Sequence, residues 1–161
     1  MLLPAIREGE PMIPREFPVE ESARWMAELG NQLENGSFEP AFNRVMPLLH
    51  DAFADNFANT KAPSGTWPPH SPVTVKIHGP HPLLILSGAL LRSVTESGSD
   101  GNVEFVSARE MAVGTSLFYA GWQQHGTTKI PPRMFLWVNA EWVGRIGDEF
   151  QAAATEIIFG A

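Results

Sequence analysis

The chain predicts an α+β fold in which N-terminal and C-terminal helices pack on a small antiparallel sheet, with a long proline-rich loop. Three observations carry this. Apolar residues recur at helical spacing near both ends of the chain. Between about residues 95 and 118, short β-prone runs alternate with glycine turns. Residues 60–82 hold six prolines, at positions 63, 68, 69, 72, 80 and 82. A length of 161 residues suffices for one domain with its own core. The expected division is a flexible N-terminal arm over 1–18 and a single α+β domain over 19–161.

The arm holds four prolines among mixed charges. A first helix follows, opening at Pro18-Val-Glu-Glu-Ser, where acidic residues suit the positive end of the helix dipole. Trp25, Leu29 and Leu33 share one face, and Asn35-Gly36 ends it. A second helix is expected from about Glu39 to Ala58. Phe38, Phe42, Val45, Leu49, Phe53 and Phe57 recur at steps of four and three, with Pro47 as a site for a kink. Such a stripe is ordinarily core. The 60–82 stretch reads as a long ordered loop pinned by Trp67. Its stiffness predicts that Trp67 docks on a neighbouring subunit, as does the arm.

Ser87 to Val94 predicts a short helix or strand-to-helix turn. Thr95–Ser97 and Val103–Ser107 are expected as strands about a Gly98-Ser-Asp-Gly101 turn, with Met111–Thr115 the next strand. Phe118–Gln124 reads as a short helix stopped by Gly126. The last helix is expected over Ala140–Ile158, with Trp142, Val143, Ile146, Phe150 and Ala153 on one face. The organising stretch lies just before it, in Ile130-Pro-Pro-Arg-Met-Phe-Leu-Trp137. Pro131 and Pro132 hold φ near −65° and bias the preceding residue toward extended structure. Arg133 thus stands on a stiff bracket, which suits a residue that holds parts in place. Gly88 and Gly126 are expected where a side chain fits poorly.

Composition excludes several chemistries. There is no cysteine, so disulfides, thiolate catalysis and cysteine-based zinc sites are out. A net charge of −7 argues against sequence-specific nucleic-acid binding. No apolar run reaches the roughly 18 residues of a membrane span. Met1 to Pro4 is too short for a signal-peptide core, so a cytoplasmic product is expected. His70, His78 and His81 invite a metal site, and a small metal-dependent hydrolase built on them is the alternative functional reading. No carboxylate lies between Asp55 and Glu96 to complete such a site. Glu96, Glu104 and Glu110 read as a solvated strand face. Ser87-Gly88 lacks a nucleophile elbow, and no phosphate-binding glycine motif is present.

Taken in order, five short pieces resemble the phage virion morphogenesis family, the Mu-like tail completion proteins also described as neck or head–tail joining components. They are Gly65-Thr-Trp67 with Pro69 and Ser71-Pro72; Ser87-Gly88, Leu90 and Ser93; Val113-Gly114-Thr115; Tyr119-Ala120, Gln124 and Gly126; and Ile130-Pro131, Arg133 and Phe135-Leu136. The similarity covers about residues 38–150 and departs from the usual pattern at Ser87, Gln123, Met134 and Trp137. It implies a structural virion protein without enzymatic activity, cofactor or metal. The implied assembly is a homo-oligomeric ring, expected as a hexamer, at the head-proximal end of the tail. Its implied neighbours are the tail terminator, tail tube and head–tail connector. The residues implied to be structural or to lie at interfaces are Trp67, Gly88, Leu90, Ser93, Gly114, Tyr119, Gln124, Gly126, Pro131, Arg133 and Phe135. A binding adaptor unrelated to phage is a further class the composition allows.

Overall fold

The computed structural model describes residues 19–160. The arm expected over 1–18 lies outside the described residues, as does the side chain of Trp25. The chain divides into two compact units, residues 1–36 and 37–161. Helix α1, Val19–Asn35, therefore belongs to the N-terminal unit, whereas the sequence placed the boundary at residue 18. The Gly36 amide closes α1 by donating to the Gln32 carbonyl at 2.8 Å.

The second unit is the α+β fold. Its backbone helix is α2, Glu39–Asn59, with Pro40 in the first turn, where its missing N–H costs nothing. Phe42, Val45, Met46, Phe53, Asn56 and Phe57 are buried along one side. Pro47 stays within the continuous helix on its exposed side, where water can meet the carbonyl that lacks a donor. Thr60 ends the helix in a left-handed conformation, φ 50°, its amide donating to Asn56.

The stretch expected as one loop holds two regular pieces. Strands β1, Lys61–Ala62, and β2, Gly65–Thr66, form a minimal hairpin about Pro63-Ser64. Helix α3 spans Pro72–His78. It forms despite the prolines because Pro72 occupies the first turn, and the Ser71 hydroxyl accepts from the Thr74 amide at 3.1 Å. Residues 67–71 remain irregular.

Helix α4 spans Ala89–Thr95 and the sheet is β3, Asn102–Val106, against β4, Met111–Thr115. Asn102 pairs with Thr115 and Val106 with Met111. Residues 95–97 are not the expected strand. Thr95 is the last residue of α4, and the turn at Gly98–Gly101 joins a helix to a strand. The hairpin bend is at Ser107–Glu110, where the Ser107 amide donates to the Glu110 carbonyl at 2.8 Å and the Ser107 hydroxyl accepts from the Glu110 amide at 3.2 Å. Helices α2 and α4 pack on this sheet. Helix α5 is Ala120–His125, and α6 is Ala140–Phe159, capped by Asn139.

Helix α6 packs on α2 through Trp142, Phe150 and Ala153. Phe42 and Phe150 meet edge to face at 5.5 Å. Val143, expected on this face, is 56% exposed, because a one-residue step from Trp142 rotates it about 100° around the helix. The main core lies between α2, α4 and the segment before α6. It comprises Phe53, Phe57, Trp67, Leu90, Val94, Ala120 and Phe135. Trp67 is 3% exposed and meets Phe57 edge to face at 5.5 Å. The expectation that this ring docks on a neighbour is therefore corrected: its own chain covers it, and burying a ring this large is most favourable inside the core.

Gly126 is the backbone position least tolerant of change. Its φ is +74°, and an added Cβ would lie 2.8 Å from the Ile130 carbonyl oxygen and 2.8 Å from the Pro132 nitrogen. Neither backbone atom can move aside as a flexible side chain can. Gly126→Ala is expected to destabilise the protein by about 1–3 kcal/mol, read as a lower midpoint in urea unfolding. An unchanged midpoint would show that the 126–132 turn gives way at no cost.

Candidate functional site

Residues 133–137 are irregular, with a bend at Leu136, and have no strand partner before α6. Their peptide groups are met by side chains and by the end of α5. The Arg133 amide donates to the Gln123 carbonyl at 2.7 Å. The Trp67 indole donates to the Met134 carbonyl at 3.0 Å. Gln124 Oε1 accepts from the Phe135 amide at 2.9 Å and the Leu136 amide at 3.1 Å, and its Nε2 donates to the Leu136 carbonyl at 3.1 Å. Asn56, 5% exposed on α2, donates to the carbonyls of Phe135 and Trp137, both at 2.9 Å. The Trp137 indole donates to the Lys61 carbonyl at 3.0 Å. Buried backbone groups must be paired, and here amide and indole side chains do what a neighbouring strand would do.

Arg133 completes the frame. It is 7% exposed, and its Nε donates to the Pro68 carbonyl at 2.9 Å and its Nη2 to the Pro69 carbonyl at 3.0 Å. Nη1 lies 3.5 Å from Gln123 Oε1, a long contact. Pro68 and Pro69 lie in the irregular 67–71 stretch, so no helix or strand ladder takes up their carbonyls, and both are available to the guanidinium. Burial pushes its pKa down, yet an arginine in this setting stays charged at neutral pH.

The remaining predicted residues fall around this frame. The buried Ser93 hydroxyl donates to the Leu90 carbonyl at 2.9 Å and lies 2.9 Å from the Thr115 hydroxyl, tying α4 to β4. Gly88 precedes α4 at φ +75°; a Cβ there would meet only the flexible Arg92 side chain at 2.7 Å. Leu90 and Phe135 are core residues, 2% and 0% exposed. Gly114 pairs with Val103 in the sheet with open space around it, so no steric demand fixes glycine there. Tyr119 and Pro131 line a cavity on the far side of Arg133.

That cavity has a volume of about 600 Å³. Ser71, Thr74 and His78 line it from α3 and its cap, Leu84, Leu86 and Ser87 from the following loop, and Tyr119, Lys129, Ile130, Pro131 and Arg133 from the other side. His70 and His81 also line it, their ring centroids 4.2 Å apart, with His78 6.5 Å from His81. The structure thus gathers the three histidines of the sequence reading. They do not converge as donors: among the described residues no group of three or more His, Cys, Asp or Glu side chains is placed to hold a metal ion. The His81 Nδ1 donates to the Pro82 carbonyl at 2.9 Å, while His70 Nε2 and His81 Nε2 are buried without a hydrogen-bond partner.

A second cluster lies on β3 and is not anticipated from the sequence. Glu104 is not on a solvated strand face. It occupies the inner side of β3, where its carboxylate accepts from the Ser97 hydroxyl and the Asn102 amide, both at 2.9 Å, and meets His50 Nε2 at 2.9 Å. A cavity of about 360 Å³ lies beside it, lined by Met46, Pro47, His50 and Phe105 among others. Alternation along β3 could have placed Glu104 with Asn102 and Val106, but His50 is 54 residues distant in sequence and gave no signal.

Burial alone would raise the Glu104 pKa, but the hydrogen bonds from Asn102, Ser97 and His50, with the charge of protonated His50, outweigh it and hold the carboxyl below its ordinary 4.5. A carboxyl depressed in the folded state contributes stability above its unfolded pKa and loses it as pH falls through the folded one. Stability should therefore decline below about pH 4.5, and Glu104→Gln should flatten that decline. Equal acid slopes for the two proteins would remove Glu104 from the account. Arg133→Ala should cost about 2–4 kcal/mol in equilibrium unfolding, since it deletes two charge-assisted hydrogen bonds and packing around a nearly buried side chain. A loss under about 0.5 kcal/mol would mark the guanidinium as dispensable.

No family model, curated protein or solved structure matches the chain.

Proposed function

We propose that the chain is a structural virion protein, a tail completion or neck subunit of a phage that forms a ring at the head-proximal end of the tail and takes part in head–tail joining. The observation that carries this is the use of the motif residues. Trp67, Ser93, Gln124 and Arg133 direct their polar atoms to the chain's own backbone, at Met134, Leu90, Phe135 with Leu136, and Pro68 with Pro69. Side chains so occupied hold their own chain together as a rigid body. Trp67, Gln124 and Arg133, from three of the pieces that resemble the tail completion family, are thus parts of one mechanical frame.

The surface supports assembly. Val103 and Phe105 are 43% and 50% exposed on the outer face of β3, in a sheet of two strands. On α3, Val73 and Ile77 are 65% and 68% exposed at four-residue spacing. Phe118 and Trp122 meet edge to face at 5.6 Å while 79% and 50% exposed. Apolar surface in separate patches suits a subunit with different neighbours on each side, as a closed ring with heterologous interfaces requires. Its location would be the tail or neck of the virion, with the terminator, tube or connector as neighbours. Among the described residues no helix is long and apolar enough to cross a membrane.

The metal-dependent hydrolase has less support. The histidine cavity has no carboxylate in its lining, and its imidazoles do not converge on one point. Native mass by light scattering tests the assembly reading, with electron microscopy of the same sample. The expected result is a closed ring, six times the 17.7 kDa subunit mass for a hexamer, and the same protein located at the neck of purified particles. A protein that stays monomeric at all concentrations and is absent from particles would overturn it.

A further inference from the structure

We propose that the cavity beside Arg133 is a binding site for a short acidic peptide segment of a partner chain, its carboxylate received by the Arg133 guanidinium. The charge distribution is the first ground. The chain carries 18 acidic and 11 basic residues, yet the cavity is lined by Arg133, Lys129 and three of the five histidines, and by no aspartate or glutamate. An acidic protein that keeps every carboxylate out of one basic cavity leaves there a field complementary to an anion.

The second ground is Arg133 itself. Among the described residues no carboxylate lies within ion-pairing distance of it. Three of its five N–H groups face acceptors, counting the long contact to Gln123, and two at the Nη end have none. A charge buried to 7% exposure without a counterion is costly, and removing that cost is what a ligand carboxylate would do. One N–H on each terminal nitrogen is left over, and two donors of a guanidinium are what a carboxylate takes.

The rest of the lining selects a peptide over a bare ion. A volume of about 600 Å³ accommodates several side chains rather than one oxyanion. Leu84, Leu86, Ile130 and Pro131 supply apolar walls for residues flanking the acidic one. Leu84 holds a left-handed backbone, φ 61°, a conformation unfavourable for a branched side chain. A polyanion such as nucleic acid would meet the net charge of −7 along its whole length, whereas a segment with one or two carboxylates meets only the cavity. Such a segment would satisfy the site whether or not the chain forms rings, so failure of ring assembly leaves this proposal standing.

The test is a titration of the full chain, followed by NMR of the histidine ring protons. The probes are N-acetyl-leucyl-glutamyl-leucine amide, its glutaminyl counterpart, and inorganic phosphate. The glutamyl peptide should shift the His70, His78 and His81 resonances saturably and bind at least about ten-fold more tightly than the glutaminyl one. Lys129→Glu, an exposed rim change that leaves the core intact, should weaken the glutamyl peptide about ten-fold without altering the thermal midpoint. Equal affinity for the two peptides, no saturable shift with either, an unaffected Lys129→Glu variant, or phosphate binding as tightly as the glutamyl peptide would each overturn the proposal.

Discussion

An irregular segment with no strand beside it must find partners for its peptide groups elsewhere, and residues 133–137 find them in side chains. Asn56 reaches from α2, Trp67 from the irregular stretch, and Gln124 from α5. Each of these side chains can act only if its own element is in place. The segment therefore makes α2, the proline-rich stretch and α5 depend on one another. Phe135, fully buried, adds the apolar contact at the centre, its ring 5.7 Å from that of Phe57. Arg133 then fixes the direction in which the proline-rich stretch leaves Trp67, by holding the carbonyls of Pro68 and Pro69.

The same frame shapes the surface. With Pro68 and Pro69 held on Arg133, the chain enters Ser71 at the start of α3, and the cavity forms between α3, the loop to α4 and the 129–131 turn. The guanidinium is thus both a structural clamp and the charged wall of a cavity. These roles do not compete, because the clamp uses Nε and one Nη2 proton, with one Nη1 proton facing Gln123, and leaves two Nη N–H groups over. A rigid clamp also keeps a charge from folding away toward water, which a flexible lysine could do.

Much of this was legible in the sequence where a local rule decides. The α2 stripe, the final helix and the short helix ahead of Gly126 follow from apolar spacing and stop signals. The two prolines before Arg133 predict a stiff bracket there, and its guanidinium holds the carbonyls of Pro68 and Pro69. Residues whose roles come from distant partners were harder. Glu104 looked solvated because nothing nearby in sequence announces His50. Trp67 looked like a docking residue because prolines surround it. What decides its place is the Met134 carbonyl, 67 residues later, which satisfies its indole and lets the ring be buried. Helix α3 was hidden by proline density, since Pro72 breaks a helix from within but starts one well after a serine cap. Strand 95–97 was expected from β-prone composition, but packing of α4 on both strands extends the helix to Thr95.

Side chains do for residues 133–137 what a neighbouring strand would do, and amide hydrogen exchange tests this most directly. The amides of Arg133, Phe135 and Leu136 donate to Gln123 and Gln124 and should exchange only when the whole unit unfolds, as slowly as those in the middle of α2. Exchange of these three amides at the rate of an exposed loop, while α2 stays protected, would contradict the account.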